Sequence, residues 1–146
     1  KQNWEQLKLK EKDGNTSVLS GVPDALPALI KAHRIQDKAR SVGFDWEQRD
    51  QVWDKVKEEI AEFEAEAKME QSPDLEGEFG DVLFSLINAA RLYKINPENA
   101  LEKKKKKFIR RFNYLEERTI KQGKDLRQMS LEEMDVFWDE AKSLGL

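Results

Sequence analysis

Two short acidic groups have the spacing that metal-assisted chemistry needs. Glu58-Glu59-Ile60-Ala61-Glu62 and Glu78-Phe79-Gly80-Asp81 each place two carboxylates three residues apart. On a helix, Glu59 with Glu62, and Glu78 with Asp81, then sit one turn apart on one side. At about 100° per residue, Glu59 lies some 60° from the centre of the apolar stripe of its helix, a boundary position. Asp81 adjoins the apolar run from Val82 and continues into Ser85 and Asn88 at helical spacing, a polar seam along an apolar helix. Two like charges about 4 Å apart repel by roughly 4 kcal/mol at an effective dielectric near 20, so four of them need protons or cations to coexist. An oxygen-only set selects hard ions, Mg²⁺ first and Mn²⁺ next, and leaves positions for water and substrate phosphate. Such an ion neutralises phosphate charge and lowers the pKa of a bound water, which phosphoanhydride hydrolysis requires. Acidic helices are also commonly solvated, and Glu64, Glu66 and Glu70 are expected to be so.

A basic group complements the acidic one. Residues 103–107 are all lysine, and Arg110 and Arg111 follow. Lys104, Lys107 and Arg111 flank the apolar positions Leu101, Phe108, Phe112 and Leu115 at spacings of three and four. Lysine and arginine suit phosphate oxygens, arginine through its bidentate fork. The bland alternative is a solvated basic face, less so for Lys107 and Arg111 beside the apolar stripe. Trp138 and Lys142 are one turn apart, a pair suited to a base and a phosphate or simply to the core. His33 reads as a partly buried packing residue. Trp46 and Trp53 read as core or interface, and Gln36 and Lys38 are assigned no role.

These groups must be carried by helices, because helical spacing dominates and no sustained apolar–polar alternation occurs. Residues 1–22 read as a polar arm with a short helical stretch at 4–9, and residues 23–146 as the helical domain. A first helix is expected from about Pro23 to Val42, ended by Gly43. A second follows a capping box at Asp45 and Gln48 and reaches about Glu70, with Val52, Val56, Ile60, Phe63 and Ala67 as its stripe. Ser72-Pro73 starts a third, whose segment 82–90 is the most apolar run and should be central. The second and third should be antiparallel neighbours, which lets all four carboxylates converge on one side of the hairpin. Asn96-Pro97 starts a fourth helix reaching about Gln122, before Gly123. A capping box at Ser130 and Glu133 opens a fifth, to about Leu144. The fold expected is all-α, a four- to five-helix bundle.

Composition narrows the function. The chain has 146 residues, 38% apolar and 38% charged, with four Trp and seven Phe, enough apolar material for a folded single domain. Twenty-six basic against 29 acidic residues leave a net charge of −3, which disfavours a dedicated duplex-DNA binder. The absence of cysteine excludes disulfides, thiolate nucleophiles and cysteine zinc sites; one histidine excludes His-His metal motifs and disfavours a Ser-His-Asp triad. No run approaches a membrane span and no signal-peptide core is seen, so a cytoplasmic location is expected. The first residue is lysine, consistent with a piece of a longer protein.

The chain resembles the MazG family of nucleoside triphosphate pyrophosphohydrolases, within the all-α NTP pyrophosphatase superfamily. The resemblance runs through Trp4-Glu5-Gln6, Leu26-Pro27-Ala28-Leu29 and Val42-Gly43-Phe44-Asp45-Trp46. It continues through both acidic motifs, Lys107-Phe108-Ile109-Arg110-Arg111-Phe112, and Glu133-Met134 to Trp138. The family signature, EExxE followed by ExxD, is met in full, and the match is closest to the C-terminal of the two MazG domains of longer members. The resemblance implies that Glu59, Glu62, Glu78 and Asp81 hold Mg²⁺, with Glu58 beside them. It implies that Lys107, Arg111, Trp138 and Lys142 contact the nucleotide. The implied reaction is attack of a metal-activated water between the α and β phosphates, giving a nucleoside monophosphate and pyrophosphate, and the implied assembly is a homodimer. In one departure, Lys105 stands where the family often has asparagine, so an amide contact is lost or replaced by a charge. Two other readings stay open: a non-catalytic nucleotide-binding or regulatory domain, and a helical RNA-binding module using the lysine run, which overall acidity disfavours.

Overall fold

The structure is a computed structural model that describes residues 17–45, 49–71 and 74–146. The expected helical stretch at 4–9, the Trp46-to-Gln48 part of the first capping box and the Ser72-Pro73 start lie outside these residues. Five α-helices and no strand occur among the described residues: α1 (Ala28–Ser41), α2 (Arg49–Ala67), α3 (Leu75–Leu92), α4 (Pro97–Arg118) and α5 (Leu131–Ser143). The all-α expectation holds. Two compact units divide the chain between Glu98 and Asn99, within the first turn of α4.

In the first unit, α1 starts at Ala28 rather than near Pro23. Pro27 occupies the cap position with an extended backbone (ψ 144°), and a residue preceding proline is pushed away from the helical region, so Leu26 cannot continue a helix into Pro27. Residues 18–21 instead form turns, and Val22 is buried. Gly43 lies at φ 101°, two residues past the end of α1, as expected. The visible cap of α3 is Asp74, whose carboxylate accepts from the Gly77 amide at 3.1 Å.

Helices α2 and α3 run antiparallel. Near the start of α2, Trp53 Nε1 donates to the Tyr93 hydroxyl just past the end of α3, at 2.8 Å. Near the end of α2, Phe63 meets Phe79 of early α3 edge-on, with ring centroids 5.5 Å apart. Between them Val52, Val56 and Ala89 form a buried core against Leu92. The expected stripe of α2 holds only in part: Ile60 and Ala67 are exposed. Trp53 is also exposed, its indole held by the hydrogen bond rather than by core packing. Helix α1 packs on α3, where Gln36 Nε2 donates to the Phe84 carbonyl at 2.9 Å.

In the second unit, α4 ends at Arg118, a turn before the expected stop. Thr119 is fully buried, its hydroxyl donating to the Leu115 carbonyl at 2.6 Å, and the chain tightens into 3-10 turns at Ile120–Gln122 and Leu126–Gln128. Gly123 takes φ 86° between them. The capping box of α5 is complete: the Glu133 amide donates to Ser130 Oγ, and the Ser130 amide to the Glu133 carboxylate. Glu140 ties α5 to α4 by accepting from the Tyr114 hydroxyl and Arg118 Nη1, both at 2.7 Å. Of the apolar positions expected to pack on α4, only Leu115 is buried; Leu101, Phe108 and Phe112 remain exposed.

Candidate metal centre and nucleotide site

The α2–α3 hairpin brings the acidic motifs together. Oxygens of Glu59, Glu78 and Asp81 lie within 4.8 Å of one another, and so do those of Glu58, Glu59 and Glu62. The four expected ligands, together with Glu58, thus fall into two trios that share Glu59. That residue is deeper than a boundary position implies, only 8% exposed, because its helix lies flat on α3 along the Val52–Val56 side.

The electrostatics are those of a crowded anionic site. The neighbouring charge of Glu59 is the first cause that pushes the Glu62 carboxyl above its ordinary value, ahead of lost solvent and Glu58. Lost solvent is the first cause that raises Glu78, followed by the charges of Glu62 and Asp81. Glu78 Oε2 is buried and has no hydrogen-bond donor among the described residues. One cation already answers this field: Lys55 Nζ stands 3.1 Å from both Glu58 and Glu59, and those hydrogen bonds raise its pKa. Hard oxygens at this spacing fit a divalent ion, since bonds of about 2.0–2.6 Å put opposite ligands roughly 4–5 Å apart. Glu64 and Glu70 are solvated as expected, while Glu66 is half-buried.

The polar seam of α3 leads from this cluster into a cavity of about 430 Å³. Asp81, Ser85 and Asn88 line it at helical spacing, with Glu59 and Lys55 from α2 and Gln36 from α1. Ser85 and Asn88 are buried. The seam continues one step further than expected: Arg91 Nη2 donates to Asn88 Oδ1 at 2.8 Å and pairs with Asp45 at 2.7 Å. Lys55, Gln36 and Arg91 escaped the sequence reading. Lys55 lies one turn before Glu59 and Arg91 three residues after Asn88, so spacing alone could have found both. Gln36 lies seven residues after Leu29 on α1, and only burial distinguishes it from a surface glutamine. His33 is half-buried, 3.7 Å from Asp37.

The expected nucleotide contacts belong to the second unit. Trp138 is half-buried against Phe108, ring centroids 5.1 Å apart and planes at 56°. Arg111 is half-buried and donates through Nε to the Leu146 carbonyl at 2.9 Å. Lys107 and Lys142 are exposed. Lys105 pairs with Glu102 at 3.0 Å.

Comparison with known proteins agrees with the acidic pattern. Residues 48–115, which include both acidic motifs with Lys107 and Arg111, match the MazG nucleotide pyrophosphohydrolase domain. The chain is 41% identical over 140 residues to the nucleoside triphosphate pyrophosphohydrolase/pyrophosphatase MazG of Thermotoga maritima, covering 95% of this chain and 54% of that protein. It is 39% identical over 143 residues to the nucleoside triphosphate pyrophosphohydrolase of Escherichia coli K12, with the same coverage of 95% and 54%. It is 50% identical over 144 residues to the uncharacterized protein YabN of Bacillus subtilis, covering 96% of this chain and 29% of that one. The chain therefore spans about half the length, or less, of the curated relatives it matches. With its signature carboxylates drawn together, the chain carries a match to the MazG nucleotide pyrophosphohydrolase domain at residues 48–115 and is similar to MazG proteins along nearly all its length.

Proposed function

We propose that this chain is a Mg²⁺-dependent nucleoside triphosphate pyrophosphohydrolase, releasing a nucleoside monophosphate and pyrophosphate, with Mn²⁺ as substitute metal. The observation that carries the reading is the convergence of Glu59, Glu78 and Asp81 on one hairpin, with a buried Glu78 oxygen lacking any donor among the described residues. Glu59, Glu62, Glu78 and Asp81 would hold Mg²⁺, which would supply charge for the phosphate oxygens and acidify water. Glu58, exposed beside Glu59 and Glu62, takes a proton released by the attacking water. Lys55 neutralises Glu58 and Glu59 in the ion's absence. Lys107, Arg111, Trp138 and Lys142 contact the nucleotide, the arginine gripping phosphate oxygens through its fork. Little covalent work falls to the protein, since phosphoryl transfer relies on positioning and electrostatic stabilisation. The active form is a homodimer, and the cytoplasm, where nucleoside triphosphates are abundant, is its location; no helix among the described residues is long and apolar enough to cross a membrane.

The test is a panel of canonical and modified triphosphates with Mg²⁺, following pyrophosphate against orthophosphate. Pyrophosphate is the expected product. Orthophosphate as primary product places cleavage at the terminal bond and overturns the reading. Triphosphate recovered intact from the protein after hours with Mg²⁺ establishes the non-catalytic binding domain instead. Glu59→Gln and Asp81→Asn are each expected to abolish release while leaving the helical circular dichroism unchanged; retained activity rejects these ligands.

A further inference from the structure

We propose that Gln36 is the base-reading residue of this site: its side-chain carbonyl accepts a hydrogen bond from an N–H on the edge of a nucleobase held in the α1–α2–α3 cavity. The inference rests on the reading of the acidic hairpin as a nucleotide site and names the group that selects the base. Chemistry fixes the orientation of the Gln36 amide. Its partner is the Phe84 carbonyl, 2.9 Å away, which only accepts, so the bonded end is the NH₂ and the free end is Oε1. Oε1 is buried without a donor among the described residues, and Gln36 as a whole is 7% exposed. A buried acceptor in this state is costly, and a ligand that brings a donor recovers the loss.

Asn88 adds the opposite polarity. Arg91 Nη2 donates to its Oδ1 at 2.8 Å, and a guanidinium has no acceptor, so the Asn88 NH₂ is the end left to donate. Gln36 and Asn88 line the same cavity as Glu59 and Asp81. Its volume, about 430 Å³, lies in the range of small-molecule sites of roughly 300–1,000 Å³. Ile35, Ala39, Phe44, Val52 and Phe84 supply the apolar walls that a flat base requires. One fixed acceptor and one fixed donor on such walls match a base edge that carries an N–H beside an acceptor atom. The ligand class is therefore a nucleoside triphosphate with an amino or imide N–H on its pairing edge, phosphates directed to the carboxylates.

The experiment measures binding rather than turnover. Calorimetry with Mg²⁺ compares non-hydrolysable α,β-methylene triphosphates in pairs: cytosine with its 4-deamino analogue, adenine with unsubstituted purine, and uracil with N3-methyluracil. In the wild-type chain at least one N–H-bearing member binds about 10- to 100-fold tighter than its partner, because a site built to bond an N–H rejects the analogue lacking it. In Gln36→Met that ratio collapses to within about 2-fold. A loss equal for both members of every pair, or no discrimination by the wild type, overturns the assignment. Should Gln36→Met fail to fold, side-chain amide NMR of the wild-type chain decides: the Gln36 NH₂ signals move with the N–H-bearing triphosphate and stay with its analogue, and unchanged signals overturn the proposal. Discrimination without pyrophosphate release in the turnover assay sinks the catalytic reading alone, whereas release without discrimination sinks this one alone.

Discussion

Glu59 is the carboxylate shared by both acidic trios, and Lys55 is the cation that stands in their field. Anything that binds only the folded state stabilises it by mass action, about 2.7 kcal/mol at a hundredfold excess over Kd. Mg²⁺ is therefore expected to raise the melting midpoint of the wild type by several degrees, and Glu59→Gln to remove most of that rise. An undiminished shift in the variant, read by scanning calorimetry, would show that the ion binds elsewhere. The raised pKa of Glu62 gives a second expectation for the metal-free chain. A carboxyl that holds its proton more tightly when folded gains stability in acid. That stability is present in full below the unfolded pKa and is lost as pH rises through the folded one. With chelator present, Glu62→Gln should melt above the wild type near neutral pH, and the two curves should converge in acid. Parallel curves throughout would deny the repulsion. At this scale the carboxylates and the Asp81–Ser85–Asn88 seam were legible because helical spacing alone puts them on one side. Gln36 was not, since its role depends on a carbonyl 48 residues away.

Helix starts matter to function because α3 carries Glu78 in its first turn. The Asp74 carboxylate holds that turn through the Gly77 amide, and a Cβ added at Gly77 would collide with the same carboxylate. Asp74→Ala should cost about 1 kcal/mol, as N-cap losses generally do. Gly77→Ala is expected to expel the cap and cost a similar amount, and the double variant to cost less than the sum, since both remove one contact. Urea denaturation of the four proteins measures the cycle; strict additivity would mean that Gly77 and Asp74 act independently. Ser130→Ala, which dismantles the box at α5, should likewise lose about 1 kcal/mol. Capping chemistry is local, so the starts at Pro97 and Ser130 were readable in the sequence. The early stop of α4 was not: Thr119 turns inward to bond Leu115, a choice made by burial rather than by any residue signal near Gly123.

The described chain leaves apolar stripes uncovered in each of its two units. On α3 the core side is Val82, Ser85 and Ala89, yet Phe79, Leu83 and Leu86 form a second stripe at helical spacing, 40–50% exposed. On α4, Leu101, Phe108 and Phe112 form another, 37–50% exposed. A helix apolar on both sides belongs inside a larger assembly, and contiguous exposed apolar patches mark association surfaces. The sequence pointed to a central α3 from the run at 82–90, but single-chain periodicity does not report what covers its second stripe. A second copy of the chain is the cover expected. Sedimentation equilibrium should then give twice the 17.1 kDa of one chain, and the melting midpoint should rise with protein concentration, as it must when folding and association are linked. Leu83→Glu provides the discriminating variant. In a monomer an exposed leucine exchanged for glutamate changes stability by about 0.5 kcal/mol or less. At an interface it buries an unpaired charge, so the variant should sediment as a monomer and melt several degrees lower. A Leu83→Glu chain that keeps both mass and midpoint would place the contact on another face.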